Sequence, residues 1–287
     1  MKGNEYFDTW SSVSKRSSKH TSYFDVYSRY FDLLKSRDEV RILEIGVSTG
    51  GSLEATAKYF EEHQNFEVVG LELNSEVNSF EWDSNNISIL IGDSEDEQTF
   101  ETLLRRYGKF DLIIDDGGHT NLQQITSLLA AESLLKPHGF LIVEDVQCSY
   151  LAEFDNPSKF SFISVTKNII DGMHARSSLV NGSEIKLNIN SISIHTGMVI
   201  FEFDQGIKDF EYKQILNGVE SSGLTDFRFK DVTFFNKVIK NRFSKEFIGY
   251  LQSFPVIHKI IKTITVSLKQ NLKERKLIKQ KYRSIFK

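Results

Sequence analysis

The residues best suited to chemistry lie in two short stretches, IIDDGGHT from Ile113 to Thr120 and IVED from Ile142 to Asp145. Each follows an apolar run and carries acids where that run stops. Brought together, Asp116, Glu144 and Asp145 would repel one another in an empty cleft, and a hard divalent cation such as magnesium relieves that repulsion. A hydroxyl held by such an ion loses its proton more readily, and the imidazole of His119 can accept that proton near neutral pH. Singly these residues have plainer roles. Asp115 can bond to nearby backbone, the glycine pair can shape a loop, and His119 can cap a helix. The conjunction of the two stretches is what points to a site.

A second group lies upstream. ILEIGVSTGGS places Glu44 inside an apolar run, then Gly46, Gly50, Gly51 and Ser52 where the chain turns into a helix. Glycine is needed where backbone turns tightly or approaches a ligand closely. A dinucleotide turn would read G-x-G-x-x-G, but Ser48 stands where the second glycine belongs, which disfavours a nicotinamide enzyme. Glu72 ends the next apolar run, 26 residues after Gly46. A carboxylate there can accept hydrogen bonds from both hydroxyls of a ribose. Asp93, in IGDSED, either borders an adenine pocket or caps the following helix, a task for which Ser94 and Asp96 compete.

These residues need elements that deliver them to one place. VRILEIGV, EVVGLEL, NISILIGD, KFDLIID and FLIVED read as five strands. SLEATAKYFEEH, DEQTFETLLRRYG and LQQITSLLAAESLLKPHG read as helices between them, the last stopped by glycine. This alternation predicts a mostly parallel sheet covered by helices, whose functional residues gather beyond the C-terminal strand ends. Upstream, TSYFDVYSRYFDLL spaces Tyr23, Tyr27, Tyr30 and Phe31 as on a helix, whereas residues 1–20 are polar with little periodicity. Downstream, EIKLNINSISIH and GMVIFEFD flank a Thr-Gly pair and suit an antiparallel hairpin at the sheet edge.

The chain of 287 residues is long enough for one large domain with an appendage. One cysteine, Cys148, excludes an internal disulfide. The polar start MKGNEYFD and the lack of a span-length apolar stretch lead to the expectation of a cytoplasmic location. From Lys237 to Lys287 there are 14 Lys or Arg against two Glu, so a basic tail follows an acidic body. The body is therefore not expected to bind nucleic acid. The expected divisions are an N-terminal helical segment and substrate-side cap (1–39), the α/β domain (40–236) and a basic helical extension (237–287).

Taken together, KHTSYFDVYSRYF, RILEIGVSTGGSL, GDSED, IIDDGGHT and GFLIVEDVQCSY resemble the metal-dependent, S-adenosylmethionine-dependent O-methyltransferases of the macrolide-sugar type. Relatives of that family include proteins called cephalosporin hydroxylases and rhamnosyl O-methyltransferases. The resemblance covers roughly residues 14–150, and the conjunction of DGGH with VED is its most specific part. It implies a class I methyltransferase, Rossmann-like α/β fold, and a magnesium-dependent enzyme that methylates a hydroxyl of a sugar or saccharide-containing molecule. Gly46 and its loop would hold the methionine part of the cofactor, and Glu44, Gly50, Ser52 and Asp115 would also belong to the cofactor site. Glu72 would serve the ribose, and Asp93 and Ser94 would lie near the adenine. Asp116, Glu144 and Asp145 would hold magnesium, and His119 would be the general base beside Asp116. Two departures stand out. Glu72 replaces the family's usual aspartate, and DGGH stands where DGSH is common, so that Gly118 lacks a hydroxyl.

The extension is expected to be helical. Val256, Ile260, Ile264 and Leu268 recur every four residues among Lys259, Lys262 and Lys269, which suits an anionic membrane surface, the acidic body or a second subunit of a homo-oligomer. Arg176, in MHARSS, is either a contact for an anionic acceptor group or an ordinary surface arginine. Two rival functions are a noncatalytic cofactor-binding scaffold and a hydroxylase-like oxidoreductase. The second is weakened by the lack of a clear arrangement of two histidines and one carboxylate for iron.

Overall fold

A computed structural model of the chain describes residues 3–177, 180, 182–209, 215, 217–218 and 272–286. The chain divides into two compact units, one formed by Met1–Tyr212 with Leu277–Lys287 and the other by Lys213–Lys276. The proposed amphipathic stretch around Val256–Lys269 lies outside the described residues.

The first unit is built on seven strands: β1 (Val40–Ile45), β2 (Phe66–Glu72), β3 (Ile87–Ile91), β4 (Phe110–Asp115), β5 (Leu135–Val143), β6 (Ile189–His195) and β7 (Met198–Phe203). Their spatial order is β3-β2-β1-β4-β5-β7-β6. The first five are parallel, and β7 joins β5 antiparallel with β6 outside it. This is the mostly parallel Rossmann-like sheet with an antiparallel edge hairpin that the sequence predicts. Gly197, at φ +81°, supplies the hairpin turn.

Helices α1 (Glu5–Ser12), α2 (Phe24–Lys35), α3 (Gly51–Tyr59), α4 (Glu97–Tyr107), α5 (Asn121–Leu134), α6 (Phe162–His174) and α7 (Leu272–Ile285) are the α-helices among the described residues. One core joins α4, α5 and α6 to one face of the sheet. On the other face Tyr6, Phe24, Tyr27, Phe31 and Tyr59 pack α1, α2 and α3 together, with Tyr6 edge-on to Phe31 at 4.8 Å between centroids. Burying each such ring contributes roughly 1.5–3 kcal/mol, which fixes the N-terminal segment over the sheet.

Two boundaries differ from the sequence reading. Residues Glu5–Ser12 are a helix, capped by the Asn4 side chain, which accepts from the Phe7 N–H. Its apolar positions are only Tyr6, Phe7 and Trp10, too few to register as a period. The helix read through KPHG ends at Leu134, and Leu135–Val143 is all β5. Pro137 cannot continue a helix, and the β4–β5 register shifts between Phe110 and Leu112 to accommodate the strand's irregular start.

Among the described residues no helix is long and apolar enough to cross a membrane. Near the chain's end, α7 returns its last turns to the first unit. Lys186 N–H donates to the Ile285 carbonyl at 2.8 Å, and Tyr282 packs on Phe160.

Candidate active site

Strand order reverses between β1 and β4, with β2 lying on the far side of β1 and β5 on the far side of β4. That opens a crevice above their C-terminal ends. Register sets those ends level, because Ile45 pairs with both Leu71 and Asp115, and Asp115 with Val143. Backbone hydrogen bonds carry the alignment one residue further, from Gly46 N–H to Leu71, from Asp116 N–H to Ile45 and from Glu144 N–H to Asp115. The polar residues that follow four different strands therefore surround one opening.

Two cavities share that opening. The first, of about 590 Å³, is lined by Gly46, Ser48, Glu72, Asn74, Phe80, Asp93, Ser94 and Gly118, among others. The second, of about 390 Å³, is lined by Arg16, Lys19, His20, Tyr23, Glu44, Ser52, His119, Glu144 and Asp145. Gly46, Ser48, Thr49, Asp116 and Gly117 border both. A ligand in one cavity thus meets a ligand in the other across the loop ends of β1 and β4.

The first cavity depends on the glycine loop. Gly46 has φ +92°, and a Cβ there would lie 2.3 Å from the Asp116 carbonyl oxygen, so the two strand ends touch only because the side chain is missing. Glu72 closes the loop from the other side. One carboxylate oxygen accepts from the N–H groups of Val47 (3.0 Å) and Ser48 (2.9 Å), and the other from Asn74 N–H (3.0 Å). Asp93 accepts from Glu95 N–H, while Asp96 is the cap of α4. Capping is therefore done by Asp96, and Asp93 and Ser94 face the cavity. Gly50 and Asp115 line neither cavity: Gly50 starts α3 against the Trp82 ring, and Asp115 is buried, accepting from Gly117 N–H at 3.3 Å. Burial pushes the Asp115 carboxyl up.

The second cavity holds the acidic cluster. Oxygens of Asp116 and Asp145 and a ring nitrogen of His119 lie within 4.8 Å of one another. His119 Nε2 is 3.5 Å from Asp145 Oδ2 and 4.0 Å from Asp116 Oδ1. Two carboxylates and an imidazole at that separation suit a divalent cation. Ser48, His119 and Asp145 all adopt positive φ (49°, 57° and 53°), a conformation costly for residues other than glycine and concentrated at functional sites. Directly after His119, Thr120 caps α5 with a reciprocal Gln123 capping box, which fixes the histidine's backbone. Gln124 of α5 donates to the Glu144 carbonyl at 3.0 Å and holds the second acidic turn.

Burial works against the Asp145 charge, but the Tyr23 hydroxyl, the Gln147 amide and two histidines hold its carboxyl below the usual range. Glu44 is fully buried, which pushes its carboxyl up to about 7 although Lys19 and Ser52 oppose the shift. Glu144 is also buried. Its carboxylate receives the Tyr27 hydroxyl and the Lys19 ammonium, the latter at 2.6 Å, and Lys19 reaches Asp116 at the same distance. Burial drives the Glu144 carboxyl up and Lys19 draws it down.

Asp116, His119, Glu144 and Asp145, expected to share one cleft, all line the second cavity, although Glu144 stands outside the three-atom cluster. Lys19, Tyr23 and Tyr27, which carried no such expectation, reach the acids from more than 95 residues away. The tyrosines registered only as the apolar face of a helix. Arg176 donates to the carbonyls of Ile189 (2.8 Å) and Leu187 (3.2 Å), so its guanidinium serves β6 and the segment before it.

Comparison with known proteins bears out the resemblance. Residues 43–146 match a family model described as a methyltransferase domain. Demethylmacrocin O-methyltransferase of Streptomyces fradiae and mycinamicin VI 2''-O-methyltransferase of Micromonospora griseorubida are each 31% identical over 159 residues, 51% of this chain and 38% of theirs. The chain thus aligns with well under half the length of these curated relatives. The MycE methyltransferase of the mycinamycin biosynthetic pathway, solved with Mg, SAH and mycinamycin VI, matches with a TM-score of 0.59 and 25% identity. That match covers 70% of this chain and 53% of MycE.

Proposed function

We propose that the methyltransferase domain carried by this chain transfers a methyl group from S-adenosylmethionine to a hydroxyl of a sugar or saccharide-containing molecule, in a magnesium-dependent reaction. The observation that carries this reading is the pair of cavities meeting at Gly46–Thr49 and Asp116–Gly117, with Asp116, His119 and Asp145 converging on one side. Similar proteins are named as O-methyltransferases of demethylmacrocin and mycinamicin VI and of rhamnosyl and olivosyl compounds, which supports a sugar hydroxyl as the acceptor.

When bound, S-adenosylmethionine supplies an activated methyl group and magnesium polarises the acceptor oxygen. The first cavity is the cofactor's place. The Gly46 loop holds the methionine part, Glu72 the ribose, and Asp93 with Ser94 the adenine side. Asp116 and Asp145 are the metal carboxylates, with Glu144 joining them from the turn after β5. Asp116, His119 and Asp145 offer two carboxylate oxygens and a ring nitrogen within 4.8 Å of one another, which suits a hard cation, and Glu144 lies outside that cluster.

His119 takes the acceptor hydroxyl's proton at Nε2. Asp145, 3.5 Å away, then faces the imidazolium and stabilises its charge. The remaining contribution is alignment: the residues of the second cavity would hold an acceptor oxygen toward the border it shares with the first at Gly46, Ser48, Thr49, Asp116 and Gly117. A second reading, in which His119 is itself a metal ligand, is favoured by its membership of the three-atom cluster.

Calorimetry of S-adenosylmethionine binding with and without magnesium tests the proposal. Binding, followed by methyl transfer in a screen of sugar acceptors, is the expected outcome. A folded chain that binds no cofactor under either condition overturns it, and cofactor binding without transfer to any acceptor would favour a scaffold.

A further inference from the structure

The N-terminal segment between α1 and α2 crosses the second cavity as a strap. It is pinned at one end, where the Thr49 hydroxyl donates to the Arg16 carbonyl and Lys15 pairs with Glu54. At the other end Tyr23 donates to Asp145 Oδ1 at 2.6 Å. Between those anchors Ser17, Ser18, Lys19 and His20 line the cavity.

Lys19 is unlike an ordinary surface lysine. Its side chain is 1% exposed, and its ammonium lies 2.6 Å from Asp116 Oδ2 and 2.6 Å from Glu144 Oε1, with the Tyr27 ring beneath it at 5.6 Å. Glu44 adds a third carboxylate nearby, buried like that of Glu144. Withdrawing a lysine from water is costly unless carboxylates compensate it, so this position is built for a cation. The same two carboxylates belong to the set assigned to magnesium.

We propose that Lys19 and a divalent cation compete for Asp116 and Glu144, so that metal binding displaces the lysine and loosens the strap over the acceptor cavity. The proposal rests on the metal-dependent reading above. Two positive groups sharing the same carboxylates repel each other, and displacing the ammonium removes the contacts that tie the middle of the strap to Asp116 and Glu144. With Lys19 in place, Asp116 Oδ1, His119 and Asp145 still face one another, so a cation can enter there first and then draw Asp116 and Glu144 away from the lysine. Metal loading and acceptor entry then become linked events. The lysine keeps the acids neutralised until a cation of higher charge replaces it.

The test is a titration of the full chain with manganese, free ion being followed by electron paramagnetic resonance, for wild type, Lys19→Met and Lys19→Arg. Roughly tenfold tighter binding by Lys19→Met is expected, because Glu144 is released and the competing charge is gone, with Lys19→Arg remaining close to wild type. Equal or weaker binding by a folded Lys19→Met overturns the competition. Hydrogen exchange of wild type provides a measurement that needs no variant: manganese should speed exchange at Ser17–Thr21, and unchanged protection with manganese bound overturns the proposal. Absence of manganese binding by both wild type and Lys19→Met would overturn this proposal together with the magnesium part of the functional reading. Cofactor calorimetry reports separately on the rest of that reading.

Discussion

The hydroxyl of Tyr23 donates to Asp145 Oδ1 at 2.6 Å and accepts from the Asp145 backbone N–H at 3.3 Å, so one α2-side phenol fixes both the carboxylate and the strained backbone of a residue 122 positions away. That leaves Asp145 Oδ2 turned toward His119. Tyr23→Phe keeps the packing and removes both bonds. It is expected to cost about 1–3 kcal/mol of stability, as for the loss of a hydrogen bond to a charged group, and to weaken manganese binding through a freer Asp145. Denaturant unfolding and metal titration of the same variant check the two effects. Unaltered metal affinity would show that Asp145 needs no orienting partner.

For His119 the base and ligand readings give different results. As general base, His119→Ala should lower turnover by roughly 10²- to 10⁴-fold while metal and cofactor affinities stay near wild type. As ligand, the same change should weaken metal binding first. Turnover and manganese affinity measured side by side decide between them. Unchanged turnover removes the base assignment.

Much of this arrangement was legible before the structure because the acids and glycines sit where apolar runs stop, and parallel strands must end together. The convergence of Asp116 with Asp145 follows from that rule and the edge hairpin from the Thr-Gly pair, whereas the order of the strands is visible only in the fold. What stayed hidden depends on contacts across long stretches of chain. Lys19 lies in a polar segment with no period, and only the fold shows its ammonium between Asp116 and Glu144. Tyr27 occupies an apolar helical position while its hydroxyl serves Glu144, a dual use that spacing cannot separate. KPHG was misread because Pro137 and Gly139 mark the end of a helix as readily as an irregular strand start.

At the glycine loop, Gly46→Ala is expected to be severe. Positive φ and a Cβ placed 2.3 Å from the Asp116 carbonyl oxygen act together, and the obstacle is backbone, which cannot swing aside. A loss of at least about 2 kcal/mol is expected from strain and overpacking, along with loss of S-adenosylmethionine binding. Urea unfolding and calorimetry measure these. A variant of wild-type stability would mean that the β1 and β4 ends separate easily.

Glu44 gives the site a pH dependence whose sign can be derived. Its carboxyl is raised from an ordinary 4.5 to about 7, chiefly by burial, with Lys19 opposing. Between those values the folded chain holds a proton that the unfolded chain has released. This group's contribution is therefore fully present below about 4.5 and is lost as pH rises through about 7, an effect on the order of 3 kcal/mol. Glu44→Gln keeps the shape and removes the titration. Its unfolding free energy should fall less steeply from pH 4.5 to 7 than that of wild type, the two diverging most above 7. Parallel pH–stability curves for the two proteins would show that Glu44 ionises as freely in the folded chain as in the unfolded one.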